Sequence, residues 1–461
     1  MTLIKSISGI RGTIGGKQGE GLSPIDALKY ALAYGLQIKE KNNKPTVAIG
    51  RDARISGEMI SNIVSGALCS IGIDVIDLGL STTPTVEFAV KELKADGGII
   101  ITASHNPKQW NALKLLNHLG EFINDAQGKQ IIEMAEKIDT LDFEAVDHLG
   151  KISKNDTLID KHIDKILRSK WTQKEAIAAS NPKIIVDAIN STGAIAVKKL
   201  LEALKITNFE ILNDDLSGDF VHNPEPLAEH LTQISDAMKS KKADIGIVVD
   251  PDVDRLCFLC EDGSMFGEEY TLVAVADYIL SKEKGNTVSN MSSTRALRDI
   301  TEKHGGSYQA SAVGEVNVVT KMKETQAIIG GEGNGGVIFP ENHYGRDALV
   351  GIALFLSYYA EKSRKMTEIK AALPHYEMSK NKIELTPSTD VDAIIASIWN
   401  RYKDTESCNT IDGLKIDFAD KWVHLRKSNT EPIIRIYSEA KSKADADAIA
   451  LRFVEEIKAL M

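Results

Sequence analysis

The chain has 461 residues, which is too long for a single hydrophobic core and predicts three or four domains. Its content of 43% hydrophobic and 26% charged residues is typical of a soluble globular protein, and no apolar run reaches the roughly 18 residues of a membrane span, so we expect no membrane partner. The net charge of −10 argues against nucleic acid as a main partner, although a local basic pocket could still bind an anionic small molecule.

Residues 1–5 lack the features of a signal peptide, so we expect a cytoplasmic protein. Four cysteines spread over this length do not indicate a disulfide framework. Cys257 and Cys260 form a Cys-x-x-Cys pattern that is compatible with redox or metal chemistry. They lie in a strand-like run without a second pair, so packing inside a buried strand is the favoured interpretation.

Helical and strand-like patterns alternate along most of the chain. The first are a helix over 24–39, a strand over 45–50, a helix over 56–71 and a strand over 74–78. A similar order starts again at Lys183 and at Thr287, which predicts α/β units with parallel or mixed sheets. We predict three related α/β domains with mixed sheets and a smaller C-terminal α+β domain, spanning residues 1–150, 151–252, 253–370 and 371–461.

A serine follows a strongly apolar run. Residues 97–101 (GGIII) predict a buried strand, and Asn106 followed by Pro107 is turn chemistry that ends it. Ser104 is therefore held by a rigid element and still open to a ligand, which suits a covalent carrier. A serine at the end of a strand often serves only as a turn or cap residue, so this position gains weight only with the other motifs.

Three aspartates follow another apolar run, residues 243–249. Asp250, Asp252 and Asp254 stand at alternate positions, and their carboxylates can converge on one hard cation, for which oxygen-only ligands favour Mg²⁺. A solvated acidic turn is the alternative, but three aspartates so close together would repel one another without a counter-ion. Arg255 beside them could hold a phosphate oxygen bidentately.

A third polar segment, residues 426–432 (RKSNTEP), precedes a predicted strand over 433–437. Its cations, hydroxyls and amide could cradle a phosphate dianion, and an ordinary basic hairpin is the alternative. The candidate phosphate ligands are Arg426, Ser428, Asn429, Thr430 and Arg435.

Together these segments resemble the α-D-phosphohexomutase superfamily, which includes phosphoglucomutases, phosphomannomutases and phosphoglucosamine mutases. The resemblance covers nearly the whole chain, with the motifs in the expected order. The matching segments are residues 8–13 (SGIRGT), 50–57 (GRDARISG), 102–107 (TASHNP), 250–255 (DPDVDR), 331–336 (GEGNGG) and 426–432 (RKSNTEP). The resemblance implies three related α/β domains and a smaller C-terminal domain around a central cleft.

The resemblance also implies a reaction. In this family the serine is phosphorylated, so Ser104 would give its phosphoryl group to a hexose 1- or 6-phosphate and take the other phosphate back from the bisphosphorylated sugar. Phosphoryl transfer requires positioning and charge neutralisation above all. The implied cofactors are Mg²⁺ and a hexose 1,6-bisphosphate as activator, and the implied metal ligands are Ser104, Asp250, Asp252 and Asp254.

The basic residues of the site are assigned by the same resemblance. Lys114 stands ten positions after the serine, where the family has a lysine that handles protons, and Arg11 matches a second basic residue. Arg255 would neutralise the transferring group, and His105 would support the loop through hydrogen bonding. The alternatives are a solvent-facing strand residue for Lys114 and an ion-pair partner of an acidic neighbour for Arg11.

The sugar-reading loop departs from the bacterial pattern. Bacterial relatives have Gly-Glu-Met-Ser-Gly-His or Gly-Glu-Gln-Ser-Gly-His, whereas this chain has GEGNGG over 331–336. Glu332 is retained and would bridge sugar hydroxyls, Asn334 replaces the serine, and Gly336 replaces the histidine. His343 is a candidate substitute, although a hydrogen-bonded loop histidine is the favoured interpretation. The loop resembles archaeal-type phosphoglucosamine mutases, so glucosamine phosphate is the expected substrate, with glucose or mannose phosphate as the alternative.

Two other functions are compatible with the residues. The aspartate loop could belong to an aspartyl-phosphate phosphatase with Asp250 as nucleophile, or the chain could be a catalytically silent sugar-phosphate binding protein. The serine loop and the retained Lys114 and Arg11 favour the mutase. We expect a small-molecule sugar phosphate as partner and a monomer or homodimer as the assembly.

Overall fold

The computed structural model describes residues 2–6, 9–386, 389–427 and 433–461, apart from the side chain of Asp139. The chain forms two compact units. One consists of Met1–Thr271 with Asn334–Ile369, and the other of Leu272–Gly333 with Lys370–Met461. No helix in these described ranges is both long and apolar enough to cross a membrane.

The first unit begins with a mixed seven-stranded sheet. Its strands are β1 (Ile4–Ser6), β2 (Gly9–Thr13), β3 (Thr46–Arg51), β4 (Asp74–Leu80), β5 (Gly97–Ile101), β6 (Trp110–Leu116) and β7 (Ile152–Lys154). The helices are α1 (Pro24–Lys39), α2 (Gly57–Ser70), α3 (Thr83–Glu92) and α4 (Asp125–Ala135). The strand order is β1-β2-β6-β5-β3-β4-β7, in which β5, β3, β4 and β7 run parallel and the other pairs are antiparallel.

Local chemistry sets the ends of these elements. Ser23 caps α1: its hydroxyl accepts from the backbone N–H of Asp26, and the Asp26 carboxylate accepts from the backbone N–H of Ser23. Pro24, at the first helical position, has a φ already close to the helical value. Every residue of β5 is buried, because the strand lies inside the sheet and packs against helices. The loop after β5, which contains Ser104, therefore starts from a rigid strand.

A second sheet completes most of the first unit. The elements of this part are α5 (Leu158–Arg168), α6 (Lys174–Ser180), β8 (Ile184–Asp187), α7 (Gly193–Ala203), β9 (Phe209–Leu212), α8 (Thr232–Lys241), β10 (Ile245–Val249) and β11 (Leu256–Leu259). Helix α9 (Glu268–Leu280) begins in the first unit and has most of its residues in the second. The strand order is β11-β10-β8-β9, with β8, β9 and β10 parallel and β11 antiparallel to β10. The aspartate loop is thus the connection between two paired, buried strands.

The second unit starts with a parallel arrangement and ends with an antiparallel sheet. Its first part contains β12 (Asn286–Asn290), α10 (Ala296–Lys303), β13 (Tyr308–Ser311), α11 (Glu315–Thr325) and β14 (Ala327–Glu332), with β12 parallel to both β13 and β14. The chain then returns to the first unit with β15 (Gly336–Ile338), α12 (Ala348–Lys362) and α13 (Met366–Ala371). The C-terminal part contains β16 (Glu377–Glu384), α14 (Val391–Tyr402), β17 (Ser407–Asn409), β18 (Leu414–Asp417), β19 (Trp422–Lys427), β20 (Ile433–Ala440) and α15 (Lys443–Lys458), with sheet order β16-β20-β19-β18-β17.

The predicted fold class is confirmed: α/β domains with mixed sheets precede a C-terminal domain with an antiparallel sheet. The helix over 24–39 and the strand over 97–101 have the predicted ends. Cys257 and Cys260 are buried, and Cys257 lies within β11, as the strand interpretation requires. The four domain boundaries stay a prediction.

Candidate functional site

The serine loop leaves β5 in a strained conformation. Ser104 has a φ of 48°, in the left-handed region that non-glycine residues seldom adopt, and its backbone N–H donates to Thr102 Oγ1 at 2.9 Å. Thr102 in turn donates to Asp52 Oδ2 at 2.6 Å. Such strain persists only where the surroundings hold the backbone firmly, and it concentrates at functional positions.

One buried arginine holds this loop. Arg54 is 1% exposed and contacts Asp52 through Nε at 3.0 Å. The two terminal nitrogens of its guanidinium donate to four backbone carbonyls of the loop, those of Ser104, Asn106, Pro107 and Trp110. The planar five-donor fork of arginine is suited to this task, and lysine has too few donors to replace it.

The aspartate loop is also tightly folded. Val253 has a φ of 61°, which is a clear outlier for a β-branched residue, and its backbone N–H bonds the carbonyl of Asp250 at 3.1 Å. The Oδ1 atom of Asp250 accepts from the backbone N–H groups of Asp254 and Arg255, each at 3.1 Å. The loop therefore curls around its first carboxylate.

The fold brings the serine, the lysine and the three aspartates together. Ser104 Oγ donates to Asp250 Oδ2 at 2.6 Å. Lys114 Nζ lies 2.7 Å from Asp252 Oδ2 and 3.2 Å from Asp254 Oδ2. All three aspartates are completely buried. Lys114 lies on β6, which pairs directly with β5, so it faces the carboxylates rather than solvent.

The protonation states follow from burial and charge. Burial, together with the charges of Asp252 and Asp254, raises the pKa of Asp250 well above its usual range. Burial acts in the same direction on Asp254, but the charges of Arg346 and Lys114 outweigh it and lower the pKa of that carboxyl. Burial alone would lower the pKa of Lys114, but the two neighbouring carboxylates raise it, so this side chain is an ammonium. The site thus contains an ionised Asp254 and a protonated lysine.

The aspartates fit a divalent cation. One oxygen each from Asp250, Asp252 and Asp254 lies within 4.8 Å of the others. Asp252 Oδ1 and Asp254 Oδ1 are buried and accept no hydrogen bond from any residue in the described ranges, whereas their Oδ2 atoms contact Lys114. Buried carboxylate oxygens without a donor are costly, and a hard cation such as Mg²⁺ would satisfy them.

Arg255, His105 and Arg11 also belong to the first unit. Arg255 lies with Nε 4.0 Å from Asp254 Oδ1, and this Nε donates no hydrogen bond within the described part of the chain. Burial and then the charge of Arg255 lower the pKa of His105 well below its usual range, so its ring is neutral. The charge of Arg11 acts on the pKa of His105 in the same direction. A cluster of cations therefore surrounds the serine loop.

The sugar-loop residues are held by their own neighbours. Glu332 lies buried at the end of β14, and its Oε1 accepts from Asn290 Nδ2 at 2.8 Å and from the backbone N–H of Gly314 at 3.0 Å. Asn334 Oδ1 accepts from the backbone N–H of Gly336 at 3.2 Å. The backbone N–H of Gly314, which directly precedes α11, therefore supports Glu332.

Arg426 and Arg435 form a cross-strand pair in the C-terminal sheet. They are directly opposite in the register of β19 and β20, and Arg426 Nε lies 2.8 Å from Asp412 Oδ2. Like charges directly opposite each other are unfavourable, so the pair is suited to an anion that both can contact. The other candidate phosphate ligands, Ser428, Asn429 and Thr430, lie outside the described residues.

His343 is a hydrogen-bonded loop histidine, as the favoured interpretation expected. It is 5% exposed, and its ring lies between Asp347 Oδ2 at 3.1 Å and Glu87 Oε2 at 3.3 Å. Asp347 Oδ2 also lies 3.0 Å from His162 Nε2. The ring is therefore engaged in a buried polar cluster, and a structural role accounts for its contacts.

Sequence reasoning gave no role to three residues of this site. Arg54 lies within a motif that the sequence identified, but its contacts with the serine loop depend on the fold. Thr83 donates its hydroxyl to Asp252 Oδ2 at 2.5 Å, and Arg346 contacts Asp254 Oδ2 at 2.7 Å. Both are far from the aspartates in sequence, so no local pattern could have revealed these contacts.

Comparison with known proteins defines the class. Models of the phosphoglucomutase/phosphomannomutase family match four successive regions: α/β/α domain I over 3–142, domain II over 160–263, domain III over 267–376 and the C-terminal domain over 365–456. The chain is an isomerase that moves phosphate within a sugar. It belongs to the phosphoglucomutase/phosphomannomutase family of the α-D-phosphohexomutase superfamily.

Individual relatives agree with this assignment. A phosphoglucomutase/phosphomannomutase of Thermococcus kodakarensis is 36% identical over 94% of this chain and 95% of its own. A phosphoglucosamine/phosphogalactosamine mutase of Sulfurisphaera tokodaii is 32% identical over 98% of each chain. Among solved structures, a phosphoglucomutase/phosphomannomutase family protein of Burkholderia thailandensis superposes with a TM-score of 0.83 at 26% identity, covering 99% of this chain and 98% of that one.

Proposed function

We propose that the protein is a Mg²⁺-dependent phosphohexomutase that interconverts hexose 6-phosphate and hexose 1-phosphate through a phosphorylated Ser104 and a bisphosphorylated sugar. Glucosamine 6-phosphate is the proposed substrate and glucosamine 1-phosphate the product. Phosphoglucomutase/phosphomannomutase activity on glucose or mannose phosphate is the alternative. A hexose 1,6-bisphosphate would serve as activator, because it can charge the serine.

The contact between Ser104 and Asp250 carries the proposal. The serine hydroxyl lies 2.6 Å from a buried carboxylate, and two further carboxylate oxygens nearby accept no hydrogen bond in the described residues. Burying such oxygens without a partner costs free energy of folding, which a purely structural loop would have no reason to spend. The arrangement is suited to a phosphoserine held next to a cation, and a protein that only binds sugar phosphate needs neither group. The phosphatase alternative is less favoured because both oxygens of Asp250 already accept hydrogen bonds, from Ser104 and from two backbone N–H groups.

The chain's own residues would divide the chemistry as follows. Ser104, Asp250, Asp252 and Asp254 would hold Mg²⁺, which neutralises charge on the transferring group when it is bound. In the transfer, the bond from Ser104 Oγ to phosphorus breaks, a bond from the sugar oxygen to phosphorus forms, and the hydroxyl proton passes to the serine oxygen. Lys114, as an ammonium, would give its proton to the departing serine oxygen and then take up the proton that the sugar hydroxyl loses, with Arg11 as a second cation.

Other residues would hold the substrate. Arg255 has a donor available for a phosphoryl oxygen, and Glu332 is a candidate ligand for sugar hydroxyls. Arg426 and Arg435 would bind the phosphate that does not react, together with Ser428, Asn429 and Thr430. His105 would act on the conformation of the loop, because a neutral ring with a depressed pKa is a poor proton donor.

The choice of glucosamine phosphate rests on the sugar loop and on relatives. The GEGNGG loop resembles those of archaeal-type phosphoglucosamine mutases, and relatives from Sulfurisphaera tokodaii and Methanopyrus kandleri carry phosphoglucosamine mutase names. The Thermococcus kodakarensis relative, with a higher identity, has a phosphoglucomutase/phosphomannomutase name. Hexoses differ by single hydroxyl or amino contacts worth about 1–3 kcal/mol each, so the preference must be measured.

The test is a mutase assay with Mg²⁺ and a catalytic amount of hexose 1,6-bisphosphate. Wild type and Ser104→Ala would be compared on glucosamine 6-phosphate, glucose 1-phosphate and mannose 1-phosphate, with the exposed β7 serine variant Ser153→Ala as a matched control. We expect activity to vanish in Ser104→Ala only, and a phosphopeptide containing residue 104 to appear by mass spectrometry in wild type. An active Ser104→Ala variant would refute the carrier, and a wild type inert on all three sugars would support the silent binding protein.

A further inference from the structure

Position 336 requires glycine because a neighbouring side chain leaves no room for a Cβ, and not because of its backbone conformation. Its φ lies outside the left-handed region, so a side chain would be tolerated by the backbone. A Cβ added there would lie 2.3 Å from Cδ and 2.9 Å from Cγ of Arg346. These distances are far below van der Waals contact, so any side chain at 336 must displace the stem of the arginine. The stem of Arg346 occupies the room left by the missing side chain.

Local structure keeps these two residues together. Gly336 begins β15, and the backbone of Arg346 forms a bridge with Ile338, two residues further along that strand. The next residue, Asp347, donates its backbone N–H to the carbonyl of Val337 at 2.8 Å. The approach of Arg346 to residue 336 is therefore a property of paired backbone segments and not of a freely placed side chain.

The guanidinium of Arg346 reaches the aspartate loop. Its Nη2 lies 2.7 Å from Asp254 Oδ2, and the side chain is 10% exposed. Lys114 approaches the same oxygen at 3.2 Å. Both cations therefore contact Oδ2 of Asp254, and Oδ1 of this carboxylate accepts no hydrogen bond within the described residues. Arg346 and Lys114 thus fix which oxygen of this carboxylate is available to a cation.

We propose that Arg346 is a positioning residue of the mutase site, which orients and neutralises Asp254, and that glycine at position 336 is required for it to do so. This inference rests on the proposed function. Three buried aspartates face three cations, Lys114, Arg255 and Arg346, so carboxyl groups and cations are equal in number at this loop. Adding a phosphoserine dianion and one divalent cation preserves that balance. Position 336 is also where this chain departs from the bacterial loops.

The charge of Arg346 predicts a change in metal affinity that a purely structural role would not produce. Without Arg346 the site carries one more net negative charge, so it should bind a divalent cation more tightly and a phosphoserine dianion less well. Coulomb's law for a unit charge about 6 Å from a divalent ion in a solvent-like dielectric corresponds to about a tenfold change in affinity. Metal affinity and turnover should therefore move in opposite directions, whereas general damage to the fold would lower both.

The experiment measures Mg²⁺ binding and mutase kinetics in the same preparations of the full chain. The variants are Arg346→Met, Arg346→Lys, Gly336→Ala and the double variant Gly336→Ala/Arg346→Met, with thermal denaturation as the check on folding. The matched controls are Arg364→Met, an exposed arginine of the same unit, and Gly66→Ala, a glycine of α2 with no atom within 4 Å of the added Cβ. Mg²⁺ is titrated by calorimetry, and kcat and KM are measured on whichever sugar phosphate wild type converts.

We expect Arg346→Met to lower kcat at least tenfold while its Kd for Mg²⁺ falls about tenfold, with partial recovery of kcat in Arg346→Lys. Gly336→Ala should show a similar loss, and the double variant should lose no more than Arg346→Met alone, because both changes remove the same contact. The proposal is overturned if Arg346→Met keeps kcat within twofold, if its Mg²⁺ affinity and melting temperature fall together with kcat, or if the two losses simply add. An inactive wild type would instead contradict the proposed function.

Discussion

Arg54 gives the sharpest test of how this fold holds its functional loop. The change is Arg54→Met, which keeps much of the buried stem and removes the charge and every donor. It would leave Asp52, which is fully buried, without its arginine, and four loop carbonyls without a common donor. Removing one partner of a buried ion pair costs about 3–5 kcal/mol, because the other charge remains desolvated.

That cost sets the size of the expected effect. For a domain of about 150 residues, each kcal/mol lowers the melting temperature by about 2–4 °C, so Arg54→Met should melt about 6–20 °C below wild type. The double variant Asp52→Asn/Arg54→Met removes the uncompensated charge as well. It should recover part of the loss, although Thr102 and the loop carbonyls remain poorly satisfied.

The assay is differential scanning fluorimetry and urea unfolding of the full chain, followed by mutase kinetics at a temperature where all variants are folded. Arg51→Met is the matched control, since this neighbouring arginine is only partly buried and donates one weak hydrogen bond, at 3.3 Å, to the carbonyl of Asp52. The folded Arg54→Met variant should have a much lower kcat, because the left-handed conformation of Ser104 is no longer held by the hydrogen bonds from Arg54. A melting temperature within 2 °C of wild type, the lower edge of what about 1 kcal/mol produces, would refute the reasoning.

Three other predictions concern the metal, the proton carrier and pH. Lys114→Met should lower kcat by about 100-fold or more with little change in KM, whereas a similar rise in KM alone would indicate a binding role. Mg²⁺ at about 100 times its Kd should stabilise wild type by about 2.7 kcal/mol in thermal or urea unfolding, and Asp252→Asn should abolish that gain; an unchanged gain would place the cation elsewhere. His424 Nε2 donates to the backbone carbonyl of Asp412, and His424 Nδ1 lies 2.9 Å from Ser292 Oγ. Burial lowers the pKa of this ring from 6.5 to about 4. Because the pKa of His424 is lower in the folded state, the neutral ring contributes about 3 kcal/mol to the free energy of unfolding above pH 6.5, and this contribution is lost as the pH falls towards 4. The urea midpoint of His424→Gln should therefore depend less on pH than that of wild type between pH 4 and 6.5. An equal pH dependence of the two midpoints would contradict the assignment.

Much of the architecture was readable from local patterns. The strand over 97–101 and the helix over 24–39 were predicted with the ends that the structure has, because an unbroken apolar run and a capped amphipathic segment are local signals. The aspartates at alternate positions after a buried strand were recognisable for the same reason. That their carboxylates lie close together was predictable, because three aspartates at alternate positions can converge on one cation.

Local patterns do not reveal which distant groups meet these motifs. Ser104 and Asp250 are separated by 146 positions, and Arg346 and Asp254 by 92, so their contacts depend on how strands and loops of different domains pack. The strained φ of Ser104 is likewise invisible in the sequence, since a clamp from Arg54 enforces it against the residue's own preference. The reaction class follows from short motifs of fixed chemistry, which can be recognised without the fold. The fold decided the protonation and orientation of each group, because these depend on burial and on charges that the chain brings together only when it is folded.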